Sequence, residues 1–223
     1  MRRIALDVET TGLDPYQGHR IIEIGCVELD NNFPTGKTWQ RYINPNRSMP
    51  QEAYEIHGLT EDFLSDKKPF DEIANEFIEF IGKAELIIHN ALFDMKFLNY
   101  ELELISKDNL ENLEVIDTLK MARTLFPGMP SSLDALCRRY KIDLGKRVKH
   151  GALLDAELLA EVFLEMQGGR QQGIDLVTLK KENKKENQIN IPTKYEKKVY
   201  NITEEELSLH KEMIKILYAN GKH

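Results

Sequence analysis

Apolar and polar residues alternate from the first turn of the chain. In "RRIALDVE" the residues Ile4, Leu6 and Val8 fall on one face of a strand, and Asp7 and Glu9 share the other. "RIIEIGCVELD" predicts a second strand and "TWQRYINP" a third, so the start reads as an antiparallel meander. The period then changes. "PFDEIANEFIEFIG" places Phe70, Ile73, Ala74, Phe77, Ile78 and Ile81 on one helical stripe, stopped by Gly82. "AELIIHN" predicts a short buried strand, and "FDMKFLNYELELI" a second amphipathic helix. "LEVIDT" predicts a further strand, "SSLDALCRRY" a helix with a serine cap, and "ALLDAELLAEVFLEM" a long helix. A meander followed by alternating helix and strand predicts an α/β fold, a mixed sheet packed between helices.

Gly168-Gly169 closes that pattern. The polar run "LKKENKKENQINIPTKYEKK" lacks the apolar surface to offset chain entropy and reads as a linker. "TEEELSLHKEMIKILYAN" predicts a last helix, with Thr203 as its cap and Glu206 completing a capping box. Leu207, Met213, Ile214 and Leu217 form its apolar side. The expected division is a domain over 1–170, a flexible linker over 171–200 and a helical tail over 201–223. Such a tail suits docking onto a partner protein, the alternative being that it folds back on the domain.

Composition narrows the classes. With 223 residues, 41% of them hydrophobic, the chain can bury a full core. Its two cysteines, Cys26 and Cys137, form neither a zinc pattern nor a disulfide framework, so a reducing cytoplasm is the expected setting. Acids at 7 and 9 cut the first apolar run, which excludes a signal peptide, and no run is long enough to span a bilayer. The net charge of −7 argues against an independent grip on nucleic acid. A nucleic-acid substrate would be held locally, through metal ions, or by a partner.

Asp7 and Glu9 repel each other on a half-buried face, which is costly without a cation. Asp94 in "HNALFD" and Asp155 in "HGALLDAELL" each sit near a helix start, and His150 precedes Asp155 by five positions. Element ends of this kind can converge on one cleft. Four carboxylates and no cysteine make an oxygen-rich site suited to Mg²⁺ or Mn²⁺ rather than zinc. Taken singly, Asp94 and Asp155 also read as helix-start acids, and His57, His89 and His150 as surface-loop histidines. Asp117 and Asp134 read as packing or capping groups.

"DVETTG", "HNALFD" and "HGALLDAELLAEVF", in this order and spacing, resemble the DEDDh family of 3′–5′ exonucleases, with lesser blocks in "RIIEIGCVEL", "EIHGLT" and "SSLDALCRRY". The resemblance runs from about Arg3 to Gly169. It implies a ribonuclease H-like fold and two Mg²⁺ or Mn²⁺ ions held by Asp7, Glu9, Asp94 and Asp155. It implies His150 as general base, and Glu52 and His57 as contacts to the terminal nucleotide beside Asp7, Glu9 and Asp155. Two metals and a neutral imidazole suit phosphodiester hydrolysis at a DNA 3′ end. The expected role is proofreading as a subunit of a replicative DNA polymerase, docked through the C-terminal tail. Two alternatives are an RNA-trimming enzyme of the same fold and a non-catalytic scaffold. "QQGIDL", Gln171 to Leu176, resembles a peptide that binds the sliding clamp, and also reads as an ordinary linker start.

Overall fold

The computed structural model describes residues 1–145, 149–168 and 204–219. Five strands form one mixed sheet: β1 Arg2–Thr10, β2 Ile21–Asp30, β3 Phe33–Tyr42, β4 Glu85–Ile88 and β5 Val115–Asp117, in the order β3-β2-β1-β4-β5. The first three pair antiparallel, as the meander predicts. β4 joins β1 in parallel, and β5 joins β4 in parallel.

The helices are α1 Gln51–His57, α2 Glu61–Ser65, α3 Phe70–Ile81, α4 Ala91–Leu104, α5 Thr118–Leu125, α6 Leu133–Tyr140, α7 Ala152–Met166 and α8 Glu204–Ala219. Ile4, Leu6 and Val8 pack with the α3 stripe and with Phe97, Leu98 and Leu102 of α4. Ala5, on the opposite face of β1, packs with Val27, Leu29 and Ile87 against Ala156, Leu159, Ala160 and Phe163 of α7. Each sheet face therefore has its own helical cover, and both cysteines are buried. Asp7 and Glu9 project on the same face as Ala5, the α7 side.

Several elements differ from expectation. The third strand starts at Phe33, because its outer half is an exposed edge with no burial alternation to betray it. Helices α1, α2 and α5 run for only 7, 5 and 8 residues, too short for a helical period to show. Asp117 behaves as expected of a cap: its carboxylate accepts from the Leu119 and Lys120 amides and starts α5 directly after β5. Ser132 likewise caps α6.

α4 is pinned at both ends. Arg20 forms a two-pronged bond to the buried Glu101 carboxylate, at 2.8 and 2.6 Å, and the Ile21 amide donates to the same group. Near the other end, Asp94 accepts from the Val8 amide at 3.2 Å. Pairing of β1 with β4 stops at Ala5, so the Val8 amide lies beyond the last strand partner on that side, and Asp94 takes it.

Two units partition the chain, Met1–Asp175 and Leu176–His223. α8 is the described part of the second, with Leu207, Leu209 and Met213 exposed. The expected linker, the Gln171–Leu176 segment and Thr203 lie outside the described residues, as do the side chains of Glu206, Ile214 and Leu217. Among the described residues, no helix is long and apolar enough to cross a membrane.

Candidate active site

The site lies where the parallel strands β1 and β4 end and α4 and α7 begin. Glu9 on β1, His150 in the approach to α7 and Asp155 in its first turn each place a ligand atom within 4.8 Å of the others. Asp7 and Asp94 are not in that tight triad but adjoin it. Asp94, Glu9 and Asp155 all act electrostatically on Asp7. Glu9, Asp94 and Asp155 are 8%, 3% and 3% exposed. Burial, and then the repulsion of its acidic neighbours, holds the Asp7 carboxyl well above the usual carboxylate range. Asp94 is raised in the same way, chiefly by burial, although its bonds to two amides pull the other way.

This is an electrostatic conflict that a divalent cation would relieve. The donor set is all hard oxygen apart from one imidazole, and its carboxylates are buried. It therefore fits a metal of the Mg²⁺ type.

Asp155 owes its position to β2. α7 begins at Gly151 with no side-chain cap of its own. Glu23 of β2, 1% exposed, supplies one from across the sheet, accepting from the Ala152 and Leu153 amides and from Gln40 at 2.7 Å. Burial raises the Glu23 carboxyl. A Cβ built on Gly25 would stand 2.2 Å from the backbone of Ala152 and Leu153, so only glycine lets the helix start this close. Sequence reasoning passed over both residues. The one available signal is a Glu and a Gly set inside an otherwise apolar strand.

Two depressions flank the acids. A cleft of about 990 Å³ is lined by Asp7, His150 and Asp155 together with His89, Arg123 and Ser132. A groove of about 540 Å³ is lined by Glu9, Thr10, Glu52, Ile56, His57 and Phe93. Glu52 and His57 thus share the second depression with Glu9, while His150 and Asp155 line the first.

His57 and His89 depart from the surface-loop reading, and His150 keeps to it in position. His57 closes α1 and is 5% exposed, and burial, aided by the Lys149 charge, lowers it to about 4. Its Nδ1 accepts from the Leu59 amide at 3.0 Å, so the proton sits on Nε2, which is buried with no hydrogen-bond partner among the described residues. His89 is also lowered by burial and pairs with Thr118 Oγ1 at 3.0 Å. His150 is the exposed one, and its Nδ1 lies 3.0 Å from Asp155 Oδ2.

Acids gathered at strand ends beside an imidazole fit the class of metal-dependent phosphodiesterases. Comparison with known proteins narrows it. Residues 4–163 match the RNase T family, an exonuclease family. A protein named DNA polymerase III subunit epsilon from Rickettsia felis is 51% identical over 219 residues, 96% of each chain. The protein of the same name from Escherichia coli K12 is 49% identical over 176 residues, 76% of this chain and 72% of that one. Exonuclease X in complex with 5′ overhanging duplex DNA superposes with a TM-score of 0.59 at 26% identity, over 75% of this chain and 90% of its own. The nuclease domain of 3′hExo, a DEDDh family member bound to rAMP, gives a TM-score of 0.65 at 22% identity, over 75% and 92%, a likeness of fold. The chain belongs to the exonuclease family, among the relatives named DNA polymerase III subunit epsilon, and is a metal-dependent 3′–5′ exonuclease.

Proposed function

We propose that this chain removes mispaired nucleotides from the 3′ end of DNA as the proofreading subunit of a DNA polymerase III-type replicase. The observation that carries the site assignment is the gathering of Glu9, His150 and Asp155 within 4.8 Å beside the raised Asp7 and Asp94.

The residues divide the work. Asp7, Glu9, Asp94 and Asp155 hold two Mg²⁺ or Mn²⁺ ions. When bound, such ions supply an activated water and relieve charge on the phosphate oxygens. Glu52 and His57 seat the terminal nucleotide in the groove they share with Glu9. A neutral His57 with its proton on Nε2 offers a hydrogen-bond donor there without adding charge. His150 is the base. A carboxylate can only accept, so the 3.0 Å contact to Asp155 puts the proton on His150 Nδ1 and leaves Nε2 as the nitrogen that takes a proton from water.

The polymerase partner is its alpha subunit, reached through the tail over 201–223. The segment Gln171–Leu176 is a second contact, to the beta sliding clamp. With a net charge of −7 the chain depends on such partners to bring the DNA, and tethering raises its effective concentration.

The test is release of mononucleotides from a single-stranded oligonucleotide labelled at its 5′ end. Stepwise shortening from the 3′ end that needs Mg²⁺ or Mn²⁺ and is lost in Asp155→Ala supports the reading. Shortening that persists in chelator, or that leaves DNA intact while RNA is trimmed, would overturn it.

A further inference from the structure

Lys149, the residue before His150, is seated on the last turn of α1. Its ammonium donates to the Tyr54 carbonyl oxygen at 3.1 Å and stands 4.5 Å from the centre of the Tyr54 ring. Its stem lies against Gly58, where a built Cβ would meet Lys149 Cδ at 2.5 Å. The His150 amide donates to the Ile56 carbonyl oxygen at 3.2 Å. These contacts meet the C-terminal end of a helix, where a cation is favoured, and the Tyr54 oxygen that takes the ammonium also accepts from the Gly58 amide at 2.8 Å.

α1 is also the helix that carries Glu52 and His57 into the nucleotide groove. His150 is followed by Gly151, the N-cap of α7, whose carbonyl oxygen accepts from the Asp155 amide at 2.9 Å. The His150 backbone is therefore held between the start of α7 on one side and α1, through Lys149 and its own amide, on the other. The imidazole is oriented by Asp155 from α7, and its backbone is moored to α1.

We propose that Lys149 is a positioning residue that latches the His150 loop onto α1, so that the proton-accepting imidazole and the groove for the 3′ nucleotide move as one body. This rests on the roles given above to His150 and α1. Seating the nucleotide against α1 then also brings the base to the scissile phosphate. A latch of this kind acts on turnover more than on substrate binding, because the groove itself stays intact without it.

Two variants test it. Lys149→Met keeps the stem and removes donor and charge, and Lys149→Arg keeps a cationic donor. Lys149→Met should lower kcat roughly tenfold with KM for a short oligonucleotide unchanged, the scale expected of a small displacement of a catalytic group. Lys149→Arg should recover most of that loss. Hydrogen exchange at the His150 amide should quicken in Lys149→Met, with the melting temperature unmoved since Lys149 is exposed. An unchanged kcat, an unchanged exchange rate at His150, or equal losses in the two variants would overturn the latch. If the wild type released no nucleotide at all, the nuclease reading would fail by itself, and the exchange rate would still decide whether Lys149 moors the loop.

Discussion

Asp7 is where the electrostatics of single residues are most consequential. Its folded-state carboxyl is raised above the ordinary 3.8, so between that value and its folded value the native state binds more protons than the unfolded chain. Stability of the metal-free protein must then fall as pH rises through that window. Asp7→Asn removes the titration, so its urea midpoint in chelator should decline less between about pH 4.5 and 7.5 than that of the wild type. Mg²⁺ should stabilise the wild type more than the variant at the upper end. Parallel midpoint curves would mean that Asp7 is not in conflict with its neighbours. His150→Ala should lower turnover by roughly 10²–10⁴-fold, the usual worth of a general base, and flatten the acidic limb of the pH–rate profile. A variant with an intact acidic limb would leave His150 as a loop histidine. The acids of "DVETTG" were legible because strand alternation exposes a polar pair among apolar neighbours. Glu23 was not, because its reason for being buried is a helix start 129 positions further on that no local pattern announces.

Among the elements, α7 is the one on which the site depends most directly, and its seat is made by β2. Gly25→Ala would force a methyl group into backbone 2.2 Å away, and overpacking of this kind costs about 1–3 kcal/mol. The expected outcome is a lower urea midpoint together with a larger loss of metal-dependent nucleotide release, since the first turn of α7 carries Asp155. Activity that falls only as far as the folded fraction falls would separate the seat from the chemistry. α3 and α7 were readable because 12 and 15 residues give an amphipathic stripe or an apolar run room to repeat. α1, α2 and α5 were not, and α1 matters most of the three, since it brings Glu52 and His57 to the groove and receives Lys149.

At the level of the whole molecule, catalysis and recruitment are assigned to different stretches of chain. Every residue given a chemical role lies before Gly168, so truncation after Gln172 should leave a domain that still shortens single-stranded DNA. The same truncation should abolish co-elution with the replicative polymerase in size-exclusion chromatography. Ile214→Asp with Leu217→Asp should do likewise in the full chain, by placing charge in an apolar contact, with hydrolysis of a free oligonucleotide unchanged. Full-affinity co-elution of the truncated chain would move the docking surface onto the catalytic domain.

The sequence alone determined the elements whose side-chain period repeats often enough to be read: three meander strands, the α3 and α4 stripes and the long α7. It also singled out the acids of the three motifs as candidates, because motif spacing survives without coordinates. Only the tertiary structure decided which of these groups meet. It placed Glu9, His150 and Asp155 in one tight set, assigned Glu52 and His57 to a separate groove, and buried His57 in neutral form. Those outcomes come from packing between residues far apart in the chain, where burial and distance set charge and geometry, and neither is carried by the local order of residues.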